Sequence, residues 1–265
     1  MAEISINDLV LNIVDQGSGP PVVLVHGFPL DHSMWRGQIE RLSAQFRVIA
    51  PDLRGFGKSK SNADVVTMAQ FADDIAALLD ALSITEPISF CGLSMGGYIG
   101  WQFVQRHRDR LSRLIQCDTR AQADSDDAKA TRLKAADHVL ANGPEPLVAT
   151  MMPKLFADTT MANQPDVVQA TREVMLGTAP AAIAAAQRGM AERPDVTKDL
   201  SKVDVPTLIL CGERDAISPP DEMCEIANAI PGATFVQIDG AGHMAPLEDP
   251  QTVNEAILKF LSETP

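Results

Sequence analysis

The segment whose residue types and spacing point most directly to chemistry is Gly92-Leu93-Ser94-Met95-Gly96-Gly97. It follows the apolar run Ile88-Ser89-Phe90-Cys91 and precedes a stretch, Tyr98 to Val104, that is apolar nearly all round. A G-x-S-x-G turn between a strand and a helix lifts a serine hydroxyl clear of the backbone, and the sharp bend leaves no room for side chains two residues to either side. Gly92 and Gly96 supply that room, and the helix start beneath favours developing negative charge. The chemistry would be attack of the Ser94 hydroxyl on a carbonyl carbon. The alternative is a glycine-rich turn that holds phosphate at a helix N-terminus.

A serine hydroxyl needs a base nearby to become nucleophilic at neutral pH. The chain has five histidines: His26, His32, His107, His138 and His243. His243 closes Asp239-Gly240-Ala241-Gly242-His243, just after the strand-like run Thr234–Ile238. Loops at strand ends gather at the ligand-binding edge of an open α/β sheet, so His243 is the candidate base. His107 and His138 lie in helical patterns among charged residues and read as surface groups. Asp215, in Cys211-Gly212-Glu213-Arg214-Asp215, follows the run Thr207–Cys211 and can accept the imidazole N–H. Asp118 and Glu213 compete for that role. The order Ser94, Asp215, His243 is the one expected of a nucleophile-elbow hydrolase.

A tetrahedral intermediate needs two preorganised N–H donors. Met95 follows the nucleophile and supplies one. Val25-His26-Gly27-Phe28-Pro29 follows the apolar run Pro21–Val25 and supplies the other. Pro29 has no N–H, so Phe28 is the candidate, with His26 bracing the loop.

The elements that must position these groups come next. Ile4–Asp8 and Leu11–Asp15 alternate as in an antiparallel hairpin. Pro21–Val25, Val48–Ala50, Ile88–Cys91, Leu111–Cys117, Thr207–Cys211 and Thr234–Ile238 are runs with no polar face, which suits a sheet covered on both sides. Met68, Phe71, Ile75, Leu78 and Leu82 fall at helical spacing behind a Thr67/Gln70 capping box, and Val253, Ile257, Phe260 and Leu261 mark a last helix. This alternation predicts a mostly parallel α/β sheet. From Thr119 to Asp199 only helical patterns occur, with faces Leu133/Ala136/Leu140, Val167/Thr171/Val174/Met175 and Ile183/Gln187/Met190, punctuated by prolines 146, 153, 165, 180 and 194. The reading is one core domain, 1–118 with 200–265, and an all-helical cap, 119–199. Met151, Met152, Leu155 and Met190 of the cap, with Trp35 and Met244, are candidate substrate-binding residues; the cap methionines would serve equally as cap core, and Trp35 equally as domain core.

The chain has 265 residues and a formal net charge of -13. A field of that sign repels phosphate backbones and anionic lipid, so neither nucleic acid nor membrane is expected as a partner, and anionic substrates approach slowly. The opening residues MAEISINDLV carry neither a basic segment nor a long apolar core, and no apolar run reaches membrane-spanning length; the expectation is a cytoplasmic protein with no obligate protein partner. Cys91, Cys117, Cys211 and Cys224 are scattered, without zinc-like spacing, and are expected as reduced core thiols. No metal or cofactor is expected.

Taken together, His26-Gly27-Phe28-Pro29, Asp52-Leu53-Arg54-Gly55-Phe56-Gly57-Lys58-Ser59, Gly92 to Gly97, Gly212-Glu213-Arg214-Asp215, and Gly242-His243 continuing to Glu248 and Pro250 resemble the α/β-hydrolase superfamily. The resemblance implies an eight-stranded, mostly parallel sheet flanked by helices, with the insertion as a cap over the site. The core is similar to small bacterial carboxylesterases, perhydrolases and enol-lactonases, and Asp118-Thr119-Arg120-Ala121 with the following helices resembles pimeloyl-carrier-protein methyl ester esterases. A proline at Pro29 is frequent in perhydrolase-type members. Haloalkane dehalogenases and epoxide hydrolases of this fold use an aspartate where Ser94 stands. The implied activity is hydrolysis of small to medium carboxylic esters through an acyl-enzyme, with lactonase or perhydrolase action, or a slow-turnover ligand sensor, as the alternatives.

Overall fold

In the computed structural model, which describes residues 1–7 and 9–263, the strands are β1 (Ala2–Ile6), β2 (Leu9–Gln16), β3 (Pro21–Val25), β4 (Arg47–Pro51), β5 (Ile88–Leu93), β6 (Leu111–Cys117), β7 (Thr207–Gly212) and β8 (Thr234–Ile238). They form one sheet in the order β1-β2-β4-β3-β5-β6-β7-β8. The β1–β2 and β2–β4 pairs are antiparallel and the rest are parallel. The opening hairpin is as the alternation predicts; Asp8, at the end of its first run, lies outside the described residues.

The helices are α1 (Arg36–Leu42), α2 (Met68–Ala81), α3 (Met95–Arg106), α4 (Asp126–Asn142), α5 (Glu145–Leu155), α6 (Asp158–Asn163), α7 (Pro165–Gly177), α8 (Pro180–Ala191), α9 (Pro220–Ala229), α10 (Ala245–Glu248) and α11 (Pro250–Ser262). They cover both faces of the sheet, so its central strand β3 is apolar throughout. Along β3, Val23 and Val25 turn to a core shared with Phe71 and Ile75 of α2 and with Ile99 and Phe103 of α3. Val22 and Leu24 turn to the opposite core, shared with Leu42 of α1 and with Val253, Ile257 and Leu261 of α11. At the start of α2 the Thr67 hydroxyl accepts the Gln70 amide at 3.1 Å, but the Gln70 side chain donates to Asp74 rather than back to the cap, so the capping box is half formed.

The strand order explains where a site can form. The chain leaves β3 for β4 on one side and returns to β5 on the other, which opens a crevice between the carboxyl ends of β3 and β5. Val25 pairs with Gly92 across that boundary, so the loops after both strands emerge side by side. The Asp52–Ser59 turn braces the same edge. The Asp52 carboxylate accepts the His32 amide at 3.0 Å, the His32 ring at 2.6 Å, the Lys58 amide at 2.9 Å and Asn12 Nδ2 at 2.8 Å. Burial alone would raise its pKa; these donors outweigh burial and bring it down to about 2.

Between β6 and β7 lie α4 to α8 and, among the described residues, no strand. Pro146, Pro165 and Pro180 occupy the first turns of α5, α7 and α8, and Pro153 sits inside α5. The buried side of α4 is Ala136 and Val139, whereas Leu133 and Leu140 are 47% and 49% exposed. Helix α8, which packs against α4, carries Ala182, Ala184, Ala185 and Ala186, all buried, and such small residues let neighbouring backbones approach closely. Three cysteines are buried as expected, but Cys224, on the outer part of α9, is only partly covered; all four are free thiols. Among the described residues, no helix is long and apolar enough to cross a membrane.

Candidate active site

Ser94 is the residue between β5 and α3, with φ 54° and ψ -111°. A side-chain-bearing residue rarely adopts a positive φ, and such strain gathers where a group must be presented. Its neighbours from Cys91 to Gly97 are buried while Ser94 is half-buried. The glycines are spatially required. A Cβ on Gly92 would lie 2.3 Å from the Gly96 carbonyl oxygen, and one on Gly96 would lie 2.2 Å from that of Val25. The start of α3 is therefore pressed onto the end of β3.

This contact brings the other loop in. A Cβ on Gly27 would lie 3.6 Å from Ser94 Cβ, so the His26–Pro29 segment runs beside the serine. His26 is fully buried; its Nδ1 donates to the Gly27 carbonyl at 2.8 Å and its Nε2 accepts the Leu53 amide at 3.0 Å. Burial lowers its pKa, which keeps the ring neutral and able to accept. Thr178, just after α7, donates to the Pro29 carbonyl at 3.0 Å and ties the loop to the helical insertion.

Asp215 and His243 meet directly, with His243 Nδ1 2.8 Å from Asp215 Oδ2 and both residues buried. Asp215 also accepts the amides of Ile217 at 2.7 Å and Ser218 at 3.0 Å, and the Ser218 hydroxyl at 2.8 Å. Burial pushes the Asp215 carboxyl up, but His243 and the two amides hold it below the ordinary carboxylate range. Ser218 lies 3.4 Å from His243 Nδ1 as well, and the sequence reading missed it. The available signal was an aspartate followed three residues later by serine, a spacing that closes a side-chain turn.

Hydrogen bonds and close backbone packing along the strand ends hold the loops of this pair and of the serine together. The Ser94 amide donates to the Cys117 carbonyl at 3.0 Å, and the Thr119 hydroxyl to the Ser94 carbonyl at 2.7 Å. Between them Asp118 Oδ1 accepts the Gly212 amide at 2.7 Å, and a Cβ on Gly212 would lie 2.0 Å from the Gly242 carbonyl oxygen. All these groups stand at the carboxyl edge of β5 to β8. Among the described residues, Ser94 Oγ and His243 share no hydrogen bond. Glu213 accepts the Gly240 amide at the surface instead of approaching His243.

The His243 loop has its own anchor. Glu248, only 7% exposed, accepts the Gly242 amide at 2.8 Å and the Met244 amide at 3.2 Å through one oxygen, and the Ala157 amide at 2.9 Å and the Thr160 hydroxyl at 2.6 Å through the other. One carboxylate thus fixes the backbone on both sides of His243 and the first turn of α6. Glu248→Ala should lower stability by about 2–4 kcal/mol, because it leaves several buried donors unpaired, which corresponds to a fall in Tm of about 5–10 °C. It should also loosen the backbone on both sides of His243, so that the Gly242 and Met244 amides exchange with solvent faster. Thermal denaturation and hydrogen exchange on the same preparation check both.

The six candidate substrate-binding residues separate in space. Trp35 and Met244 are fully buried, and with Met152 and Leu155 they belong to the core on the α1/α11 face. Met190 is buried in the other core. Met151 lines a cavity of 820 Å³ between α4 and α5, whose wall also includes Phe28.

Among the described residues, two clusters have donor types suited to a metal: Asp31, His32 and Asp52, and Asp118, Cys211 and Asp215. In both, protein donors already occupy ligand oxygens. The Cys211 thiol itself donates to the carbonyls of Gly212 and Ser218, each at 3.4 Å. They read as hydrogen-bonded braces of the loops.

A family model described as the alpha/beta hydrolase fold matches residues 20–250. The chain belongs to the alpha/beta hydrolase fold family. It is 30% identical over 237 residues to 3-oxoadipate enol-lactonase 1 of Acinetobacter baylyi, covering 88% of this chain and 85% of that one. A thermophilic esterase from Thermogutta terrifontis, solved with malate bound, is 46% identical and superposes with a TM-score of 0.96 over 98% of this chain and 97% of that one. The enol-lactonase from Burkholderia xenovorans is 30% identical, with a TM-score of 0.92 over 99% and 100% of the two chains. This alpha/beta hydrolase thus has esterases and enol-lactonases among its relatives.

Proposed function

We propose that the protein is a serine carboxylic ester hydrolase. The carrying observation is the buried pair of His243 Nδ1 and Asp215 Oδ2 at 2.8 Å on the same sheet edge as the strained Ser94. With Nδ1–H committed to the carboxylate, Nε2 carries the free lone pair. Ser94 Oγ attacks the ester carbonyl and its proton passes to Nε2. The amides of Phe28 and Met95, with the positive end of α3, hold the oxyanion. The alcohol leaves with the proton from His243. Water, deprotonated by the same imidazole, then releases the acid and regenerates Ser94.

The test is covalent. Diethyl p-nitrophenyl phosphate should release one p-nitrophenol per chain, and mass spectrometry of the digest should find the diethylphosphoryl group on Ser94. An adduct on another residue, or no release while esters are still hydrolysed, would overturn the assignment.

Lactone hydrolysis is a second reading, supported by the two enol-lactonase relatives at 30% identity. The same groups act; the leaving alcohol stays tethered to the acyl chain. Comparing kcat/KM for a lactone and for the open-chain ester of the same acid separates the two.

A further inference from the structure

The cavity between α4 and α5 runs against the charge of the molecule. The chain carries a formal net charge of -13. The cavity wall nevertheless holds Arg132 and Lys134 from α4 and Lys154 from α5, against a single acid, Asp124. Even that acid is shared: Arg132 donates to it through Nε, and Arg193 approaches it at 2.7 Å. Two guanidiniums thus stand on one carboxylate, and the surplus charge on that wall is positive. Lys134 and Lys154 are exposed and, among the described residues, enter no ion pair. The rest of the wall includes Val139, Leu147 and Met151, and it reaches Phe28 on the loop beside Ser94.

The volume, 820 Å³, suits a small molecule. An apolar trough with a cationic rim fits a ligand with an apolar chain and an anion at its far end, and a low-dielectric wall strengthens the attraction. A neutral acyl chain would gain nothing from the two lysines. A carboxylate would meet a local positive field inside a protein that otherwise repels it.

We propose that the substrate carries a free carboxylate at the end of its chain remote from the reacting carbonyl, as in a half-ester or lactone of a dicarboxylic acid, and that Lys134 and Lys154 receive it in the α4/α5 cavity. This inference rests on the hydrolase reading of the site only for which bond is cut. Recognition of the carboxylate is a separate property and is tested without turnover.

The probes are two amides of equal chain length, the N-methyl monoamide of adipic acid, with one carboxylate, and N-methylhexanamide, with none. Calorimetric titration of the wild type should show the acid-terminated amide binding about tenfold tighter, the scale of one or two partly exposed ion pairs. In Lys134→Gln/Lys154→Gln the advantage should shrink to less than about twofold, and in Lys134→Glu/Lys154→Glu the order should reverse. The ratio is internal to each preparation, so partial unfolding cancels. Equal affinities in the wild type, no detectable binding of the acid-terminated amide, or an advantage that survives both double variants would overturn the proposal. None of these results depends on Ser94, whose role is read by the covalent test.

Discussion

Ser94→Ala should lower kcat/KM for a p-nitrophenyl ester by about 10⁴- to 10⁶-fold, the range seen when a nucleophile is removed from a cooperating triad. The size follows from what the side chain supplies. Without Oγ no acyl-enzyme forms, His243 has no bound hydroxyl to deprotonate, and only substrate binding and oxyanion stabilisation remain to assist direct attack by water. Stability should hardly change. Ser94 is half-buried, and its hydroxyl is not among the hydrogen bonds that tie the edge together; those run through its amide and carbonyl. The strained φ of 54° is kept by alanine, because the close approach of Gly92 and Gly96 imposes it. Steady-state kinetics and thermal denaturation on one preparation are sufficient. Activity within about a hundredfold of the wild type, at an unchanged Tm, would remove Ser94 from the reaction.

The contrast between what the sequence made legible and what it did not follows from how far each signal acts. The serine turn is local: glycine two residues either side of a serine, after an apolar run, leaves few backbone solutions, and the structure has the sharp one. The sheet is legible because strands buried on both faces have no polar positions, as along Pro21–Val25. The packing of the insertion is not local. Leu133, Ala136 and Leu140 read as one face of α4, yet of the three only Ala136 is buried, with Val139 beside it, where the alanine-rich α8 packs against α4. Ser218 was missed as a site residue because its place beside Asp215 and His243 depends on the turn that follows Asp215. Lys134 and Lys154 carry no distinguishing pattern in the sequence; they acquire meaning only when α4 and α5 set them on one cavity.

The two aspartates at the ends of β6 and β7 should differ sharply in their effects. Asp215→Asn should lower kcat/KM by about 10⁴-fold, because an amide can donate to His243 Nδ1 and so select the tautomer that leaves no lone pair on Nε2. Asp118→Asn should cost less than about tenfold. Asp118 was the competing acid on position alone, and the structure sets the two side by side, with Asp118, Cys211 and Asp215 offering ligand atoms within 4.8 Å of one another. Two ionised carboxylates so close in a buried site are unfavourable, and their surroundings separate them. Asp215 has four donors, His243 among them. Asp118 is fully buried with one amide on Oδ1 and no hydrogen-bond partner on Oδ2. Burial, and after it the charge on Asp215, raises the Asp118 carboxyl well above the ordinary range. Asp118 is therefore the carboxyl of the two that holds a proton more readily, and an asparagine of the same shape keeps the acceptor for the Gly212 amide while matching the protonated form. Asparagine mimics the protonated acid, and the Asp215 carboxylate that contacts His243 is unchanged, so the imidazole should stay nearly as basic as before. Comparable losses in the two variants, with both proteins folded by thermal denaturation, would mean that the charge sits on Asp118 and that the roles of the two carboxyls are reversed.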